Sequence, residues 1–287
     1  MKNFKIKSYC KINLYLRVIK KLNSGYHNII SLITFCKLHD VISISKTNNK
    51  SDIISFSGKF KKGIHPKFNT VYRILDLLRK SKFIKKQAYK INIKKNIPHG
   101  SGLGSASSNA ATLLNFFNSK MRLNLSQKKV KKLARKIGFD VPINLEKKNT
   151  FLIGTNDQIL RSNRKFNLNI LIVYPNLICS TKKIYQRNKN LSLLKPRSFP
   201  HYKNKKFFIY HLQNEENDLE KTVIAIYPKI KKIINLIKSQ KGCYFSRISG
   251  SGSACIGIFD TIKKANYAMK MIKLKHPKYW CVVSKSI

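Results

Sequence analysis

Three glycines and four serines crowd the stretch Pro98-His99-Gly100-Ser101-Gly102-Leu103-Gly104-Ser105-Ala106-Ser107-Ser108-Asn109-Ala110-Ala111, which holds no acidic side chain. Helix-forming sequence follows at once, in Thr112-Leu113-Leu114-Asn115-Phe116-Phe117. Small residues let backbone N–H groups approach a ligand closely, and a helix N-terminus adds further donors and positive dipole; both favour phosphate oxygens. The stretch reads as a phosphate cradle, the plainer alternative being a Gly/Ser turn that enters an ordinary helix. It is not a P-loop, because no Lys follows the glycines. Nor is it a dinucleotide fingerprint: Ser105 stands where a third Gly or Ala belongs, and residues 120–130 hold no acidic residue.

Other residues invite chemical readings beside bland ones. Asp140 follows a helix-ending Gly138 and precedes Pro142 among apolar neighbours; it is either a turn-forming Asp or a reactive carboxylate. Lys11 and Asn13 share one face of an otherwise apolar strand, by the two-residue alternation of strands, and that face is either solvated or lines a polar site. Gly25-Tyr26-His27 puts an aromatic ring beside an imidazole, as a surface hairpin or as a grip on a planar base. Glu215, Glu216, Asp218 and Glu220 gather ahead of a helix, where carboxylates complement the dipole.

The elements that must position these residues follow from periodicity. Ile12–Ile19, Ile29–Phe35, Val41–Ser45, Ile53–Ser57 and Ala88–Ile93 read as strands. Asn69 precedes a helical pattern at Val71, Ile74, Leu75 and Leu78; a second helix runs from Ser126 to about Ile137, with Gly138 as its cap. Beyond residue 150 come a strand at Leu168–Tyr174 and a basic, loop-like stretch at 186–206. Helices at Leu219–Tyr227 and Lys229–Ser239 follow, then strands at Tyr244–Ser249 and Ala254–Phe259 around Gly250-Ser251-Gly252-Ser253. A helix at 261–274 and a strand at 279–285 close the chain. The order implies an α+β architecture with two domains, residues 1–155 and 156–287.

Composition bounds the class. The chain has 287 residues, 43% of them hydrophobic, enough to bury a sizeable core. Its net charge of +48 invites a nucleic-acid reading, but ten of the 59 basic residues are Arg and the lysines are scattered from Lys2 to Lys285, so we read a solvated lysine surface with no specific nucleic-acid partner. Six cysteines show no metal-ligand spacing and sit in apolar runs, as reduced thiols do in the cytoplasm. No apolar run is long enough to span a membrane, and we expect a cytoplasmic protein.

Taken together, these pieces resemble the GHMP group of small-molecule kinases, which includes galactokinase, homoserine kinase and mevalonate kinase. Three signatures appear in order: the strand at Ser8–Leu16, the loop at Pro98–Ala111, and Arg247-Ile248-Ser249-Gly250-Ser251-Gly252-Ser253-Ala254-Cys255. Tyr9-Cys10-Lys11-Ile12-Asn13-Leu14, Gly25-Tyr26-His27 and Gly138-Phe139-Asp140-Val141-Pro142 are most similar to the branch whose acceptor is a cytidine-diphosphate-linked methylerythritol, in non-mevalonate isoprenoid precursor synthesis. The resemblance spans the whole length. It implies an amino-terminal domain like ribosomal protein S5 domain 2, a ferredoxin-like carboxy-terminal domain, and ATP and Mg²⁺ as cofactors.

The resemblance also assigns roles. Asp140 would be the catalytic base and Lys11 its cationic partner. Residues Pro98 to Ser108 would wrap the nucleotide phosphates, with Ser107 or Ser108 touching Mg²⁺ and Asn69 and Lys95 near the nucleotide. His27 would hydrogen-bond the cytosine, Tyr26 would stack on it, Tyr185 would close its other side, and Asn13 would orient the alcohol. Gly250–Ser253 would brace the loop or touch substrate. Ser105 and Ala106 replace glycines of the family pattern and fit if neither position needs positive φ. His99 replaces a residue often apolar. Two rivals remain: a kinase of the group with another acceptor, and a basic nucleic-acid binder with the fold but not the reaction.

Overall fold

A computed structural model describes residues 3–65, 67–155, 158–193 and 202–287. The strands are β1 (Phe4–Lys21), β2 (His27–Thr47), β3 (Ile53–Ser57), β4 (Ala88–Lys94), β5 (Asn149–Gly154), β6 (Gln158–Ser162), β7 (Asn169–Tyr174), β8 (Cys243–Ile248), β9 (Cys255–Phe259) and β10 (Trp280–Lys285). The helices are α1 (Thr70–Lys80), α2 (Ser105–Lys120), α3 (Gln127–Ile137), α4 (Thr181–Arg187), α5 (Lys205–Asn214), α6 (Glu220–Ile226), α7 (Lys229–Lys238) and α8 (Ile262–Lys275). They group into two compact units: Met1–Cys10, Leu38–His99 and Gly104–Lys147 in the first; Lys11–Lys37, Gly100–Leu103 and Lys148–Ile287 in the second. Where the sequence suggests one boundary, after residue 155, the units interleave, because β1 and β2 are long enough to supply residues to both.

In the first unit β3 runs parallel to β4, and β4 pairs antiparallel with the end of β2, Val41 facing Lys94 and Thr47 facing Ala88. Asn69 caps α1, its Oδ1 accepting the N–H groups of Val71 and Tyr72 at 2.9 Å, and Ser126 caps α3. Val71, Ile74, Leu75 and Leu78 then fall on one face of α1 and bury against Ile42, Ile44, Ile91 and Ile93 of the strands and Leu113 and Phe117 of α2. Each such side chain contributes about 1.5–3 kcal/mol by leaving water. Gly138 ends α3 with a φ of 174°, an extended conformation open to any residue, so the cap does not require glycine.

β2 is one strand where sequence reads two. Lys37-Leu38-His39-Asp40 looks like a polar break, yet Asp40 lies on the same inward face as Ile42 and Ile44 and is fully buried. The strand continues because the Asp40 carboxylate accepts the N–H groups of Asn96 at 2.7 Å and Ile97 at 2.9 Å.

In the second unit β10-β7-β9-β8 form an antiparallel sheet in that order. The chain order, β7, helices, β8, β9, α8, β10, is the β-α-β-β-α-β connectivity of ferredoxin-like folds. Its core joins Leu171, Val173 and Phe259 to Ile230, Ile233 and Ile237 of α7 and Ala268 and Ile272 of α8. The start of β2 pairs with β5, and β5 with β6. Neither β5 nor β6 stands out in the sequence, nor do α4 and α5, which flank the stretch read as loop at 186–206 and each overlap it by two residues; residues 194–201 of that stretch lie outside the described residues.

The acidic group does more than complement a helix dipole. Arg17 of β1 binds Glu215 at 3.0 Å, Glu216 at 2.9 Å and Asp218 at 3.1 Å, and Asp218 also accepts the Val18 N–H at 2.7 Å. Three carboxylates around one guanidinium satisfy its planar fork of donors. Glu220 alone stands in the first turn of α6, where it also accepts the Ile248 N–H at 2.9 Å. All six cysteines are free thiols, five of them buried.

Candidate active site

Strand register decides what lies beneath the start of α2 in the first unit. With Val41 facing Lys94, the next step of the ladder sets Asp40 opposite Lys95. Lys95 is 2% exposed, on the inward face shared by Ile91 and Ile93. Its ammonium donates to the Asp40 carboxylate, to the Ser105 hydroxyl and, at 2.9 Å, to Asn109 Oδ1. Burial lowers the Lys95 pKa, and Asp40 opposes that shift. The side chain that the resemblance sets near a nucleotide is therefore committed inside this cluster, whose acid, Asp40, the sequence did not single out.

Gly104 opens α2 with φ +66° and supplies no side-chain cap, so the helix starts with backbone donors. Ser105 and Ala106 are absent from the positive-φ positions, and both fit where the family pattern carries glycine. Ser108 is buried; its hydroxyl donates to the Tyr9 carbonyl at 2.7 Å and accepts from Ser8 at 2.9 Å. Ser107 is half-buried and Ala106 exposed. Asn69 spends its side-chain oxygen on the α1 cap, while the adjacent Thr70 donates to the Ala106 carbonyl at 2.8 Å, joining the starts of α1 and α2. Pro98 is buried, and the His99 ring lies beside Gly63, with its Nδ1 buried and unpartnered.

Asp140 occupies the turn between Gly138 and a short 3₁₀ segment, Ile143–Leu145. The Asn144 side-chain amide donates to the Asp140 carbonyl at 2.7 Å, and the Val141 N–H bonds to the Gly138 carbonyl at 3.1 Å. Two short bonds fix the backbone that carries the carboxylate.

The middle of the loop, Gly100–Leu103, belongs to the second unit and is stitched into it on three sides. The Lys11 N–H bonds to the Leu103 carbonyl at 3.1 Å, the Cys179 N–H to Gly100 at 3.0 Å and the Ala254 N–H to Ser101 at 3.0 Å. Ser249 donates to the Gly102 carbonyl at 3.2 Å and accepts the Asn13 N–H at 3.1 Å. Gly102 has φ +80°, and a Cβ there would meet the Ser249 carbonyl oxygen at 2.0 Å. The bonds to Ser101 and Gly102 come from Ala254 and Ser249, on either side of Gly250–Ser253.

Lys11 is 5% exposed on β1. Asn13, 2% exposed on the same face, donates to the Ser31 hydroxyl at 2.8 Å, while its Oδ1 is buried without a hydrogen-bond partner and lies 3.2 Å from where a Gly250 Cβ would stand. A buried acceptor left unpaired costs about 1–3 kcal/mol and marks a position that a donor would relieve.

His27 follows a turn closed by bonds between Leu22 and Tyr26 at 2.8 Å and between Gly25 and Leu22 at 2.9 Å. Its ring meets that of Tyr185, on α4, at 5.1 Å between centroids and 40° between planes. Tyr26 is 49% exposed. Burial, and secondarily Lys21, lower the His27 pKa, which keeps the ring neutral at pH 7 with one donor and one acceptor. Lys11, Asn13, His27 and Tyr185 thus share the second unit, while Asp140, Lys95, Asn69 and the start of α2 share the first.

Comparison with known proteins bears on this arrangement. Residues 69–146 match the GHMP kinases N terminal domain and residues 208–271 the GHMP kinases C terminal domain. A 4-diphosphocytidyl-2-C-methyl-D-erythritol kinase of Pelagibacter ubique is 39% identical over 100% of both chains. The like-named enzyme of Wolbachia pipientis wMel is 30% identical over 98% of this chain and 97% of its own. Among solved structures, 4-(cytidine 5'-diphospho)-2C-methyl-D-erythritol kinase superposes with a TM-score of 0.75 at 23% identity, over 98% of this chain and 99% of that one. Homoserine kinase from Cytophaga hutchinsonii gives 0.74 at 16% identity, over 100% and 95%. At these identities the structures establish a shared fold.

Proposed function

The chain belongs to the GHMP kinases, as an ATP-dependent kinase with their mixed α/β two-domain fold, and from that premise we propose its acceptor and the work of its residues. The acceptor is 4-diphosphocytidyl-2-C-methyl-D-erythritol, phosphorylated on its 2-hydroxyl, in the supply of isoprenoid precursors. The observation that carries this is the full-length likeness to the Pelagibacter enzyme. The His27–Tyr185 ring pair agrees with it, as aromatic surface of the kind a cytosine ring stacks on.

The chemistry follows. Asp140 takes the proton of the 2-hydroxyl as that oxygen attacks the γ-phosphorus of ATP; the new O–P bond forms as the bond to the β-phosphate oxygen breaks, and ADP leaves. Lys11 stabilises negative charge on the reacting oxygens. Backbone N–H groups of residues 98–108 hold the phosphates. Neutral His27 reads the cytosine edge, Tyr26 and Tyr185 cover its faces, and the unpaired oxygen of Asn13 accepts a hydroxyl of the alcohol.

Mg²⁺, bound chiefly through ATP phosphates, would neutralise charge developing on the transferred group. The residues fit that mode: Ser107, in the first turn of α2, is a half-buried residue, whereas Ser108 is buried with its hydroxyl donating to the Tyr9 carbonyl. We assign the metal contact to Ser107. We assign the reaction to the cytoplasm, where ATP is supplied.

ADP release with ATP and Mg²⁺ tests the proposal, with the cytidyl compound, mevalonate, homoserine and galactose offered in parallel. Turnover of the cytidyl compound, lost in Asp140→Asn, is expected. Turnover of another acceptor instead would keep the kinase and discard this substrate. Polyanion binding that falls with salt, without turnover, would favour the nucleic-acid rival.

A further inference from the structure

We propose that Asp40 and Lys95 are positioning residues that hold both flanks of the phosphate loop and so set its grip on ATP, an inference that rests on reading that loop as the ATP site. The two oxygens of one carboxylate divide the task. Asp40 Oδ1 accepts the N–H groups of Asn96 and Ile97, at 2.7 and 2.9 Å, where the chain enters the loop. Asp40 Oδ2 accepts from Ser105 at 3.0 Å and Asn109 at 3.1 Å, in the first turns of α2, where the chain leaves it. Lys95 closes the frame by donating to Asp40, Ser105 and Asn109 together.

A relay extends the frame to β1. Asn109 donates to Ser8 at 2.9 Å, Ser8 to Ser108 at 2.9 Å, and Ser108 to the Tyr9 carbonyl at 2.7 Å. Tyr9 stands two residues before Lys11 in the same strand. The entry of the loop, its exit and the Tyr9 backbone are thereby joined in one buried network.

Stability alone does not account for such a pair. Replacing a buried ion pair by apolar residues of similar volume is often neutral or stabilising, because desolvation offsets the Coulomb attraction. What apolar residues cannot supply is the set of directed bonds to Asn96, Ile97, Ser105 and Asn109, and fixed donors are what an anion-binding loop needs.

The test measures ATP binding directly, by calorimetry with Mg²⁺, beside the separate KM values for ATP and for the cytidyl acceptor. The double variant Asp40→Asn with Lys95→Met removes both charges and leaves an oxygen for the entry flank; Asn109→Ala keeps the ion pair and removes an exit-flank partner. Weakening of ATP binding by roughly 10–100-fold in the double variant, less in Asn109→Ala, is expected, with the acceptor KM within about twofold and folding retained by circular dichroism. Folded variants that bind ATP as the unaltered protein does would overturn the proposal, as would equal losses for ATP and acceptor. Should the double variant not fold, Asn109→Ala decides. Unaltered protein that binds ATP but turns over no cytidyl acceptor would refute the acceptor reading, and the binding comparison would still judge this one.

Discussion

The His27 imidazole and the Tyr185 ring face each other at 5.1 Å and 40°, one from the start of β2 and the other from α4. Base stacking on an aromatic ring is worth about 1–3 kcal/mol, so Tyr185→Ala raises the KM for the cytidyl acceptor by roughly 5–150-fold and leaves the ATP KM near its original value. Equal effects on both constants, in steady-state kinetics, would remove Tyr185 from the base site.

His27 also predicts a pH dependence. Its folded pKa lies below the ordinary 6.5, so as pH falls the unfolded chain takes up the proton first and folding loses stability between about pH 6.5 and the lower folded value. Above about pH 7 the ring is neutral in both states and contributes no slope. Acceptor KM should be flat from pH 7 to 8 and rise on acidification, and His27→Asn should abolish the rise. A profile unchanged by that substitution assigns the titration elsewhere.

Asp140→Asn keeps the side chain's size and removes the base. General-base catalysis contributes about 10²–10⁴-fold, and kcat is expected to fall within that range while ATP binding persists. The Asn144 bond to the Asp140 carbonyl is untouched, so the melting temperature stays close to that of the unaltered protein. Retained kcat would exclude Asp140 as the base.

Asn13→Ala separates binding from folding. The variant loses one bond to Ser31, which still donates to the Tyr15 carbonyl at 2.6 Å, for a cost of about 1 kcal/mol. Acceptor KM should rise about fivefold, by the same energy scale. Denaturant melts and acceptor titrations read the two effects; stability loss with unchanged KM would make Asn13 a packing residue.

Gly102→Ala and Gly25→Ala both place a side chain at positive φ, near +80°, a strain of about 1–2 kcal/mol. At Gly25 the new Cβ meets nothing within 4 Å, whereas at Gly102 it collides with the Ser249 carbonyl. Thermal melts should show the second variant clearly less stable than the first, with activity lost; equal melts would mean the loop relaxes away from Ser249.

The legible parts of the chain were those where one local pattern decides. Asn69 and the spacing of Val71, Ile74, Leu75 and Leu78 mark α1, and alternating strands and helices mark the second half as α+β, its ferredoxin-like form being implied by the resemblance. The Asp40–Lys95 pair escaped because each residue, taken by itself, looks like surface. The signal was present as an Asp on the face of Ile42 and Ile44 and a Lys on the face of Ile91 and Ile93, but it takes strand register to show that the two odd residues answer each other. Lys95 consequently drew a nucleotide role from resemblance, and Arg17 was missed as the centre around which three acids gather. β5 and β6 pair with each other as sequence neighbours, but β5's other partner, the start of β2, stands more than a hundred residues earlier in the chain.

The interleaving of the two units bears on how such a protein can be divided or recombined. Chain ownership passes back and forth at Cys10, Lys37, His99, Leu103 and Lys147, twice inside the phosphate loop itself. No single cut yields an intact half: a fragment ending at Lys147 carries Lys11–Lys37 away from the unit they belong to, and its complement begins without the β2 segment that β5 pairs with. A gene for either unit alone would have to be spliced from several pieces.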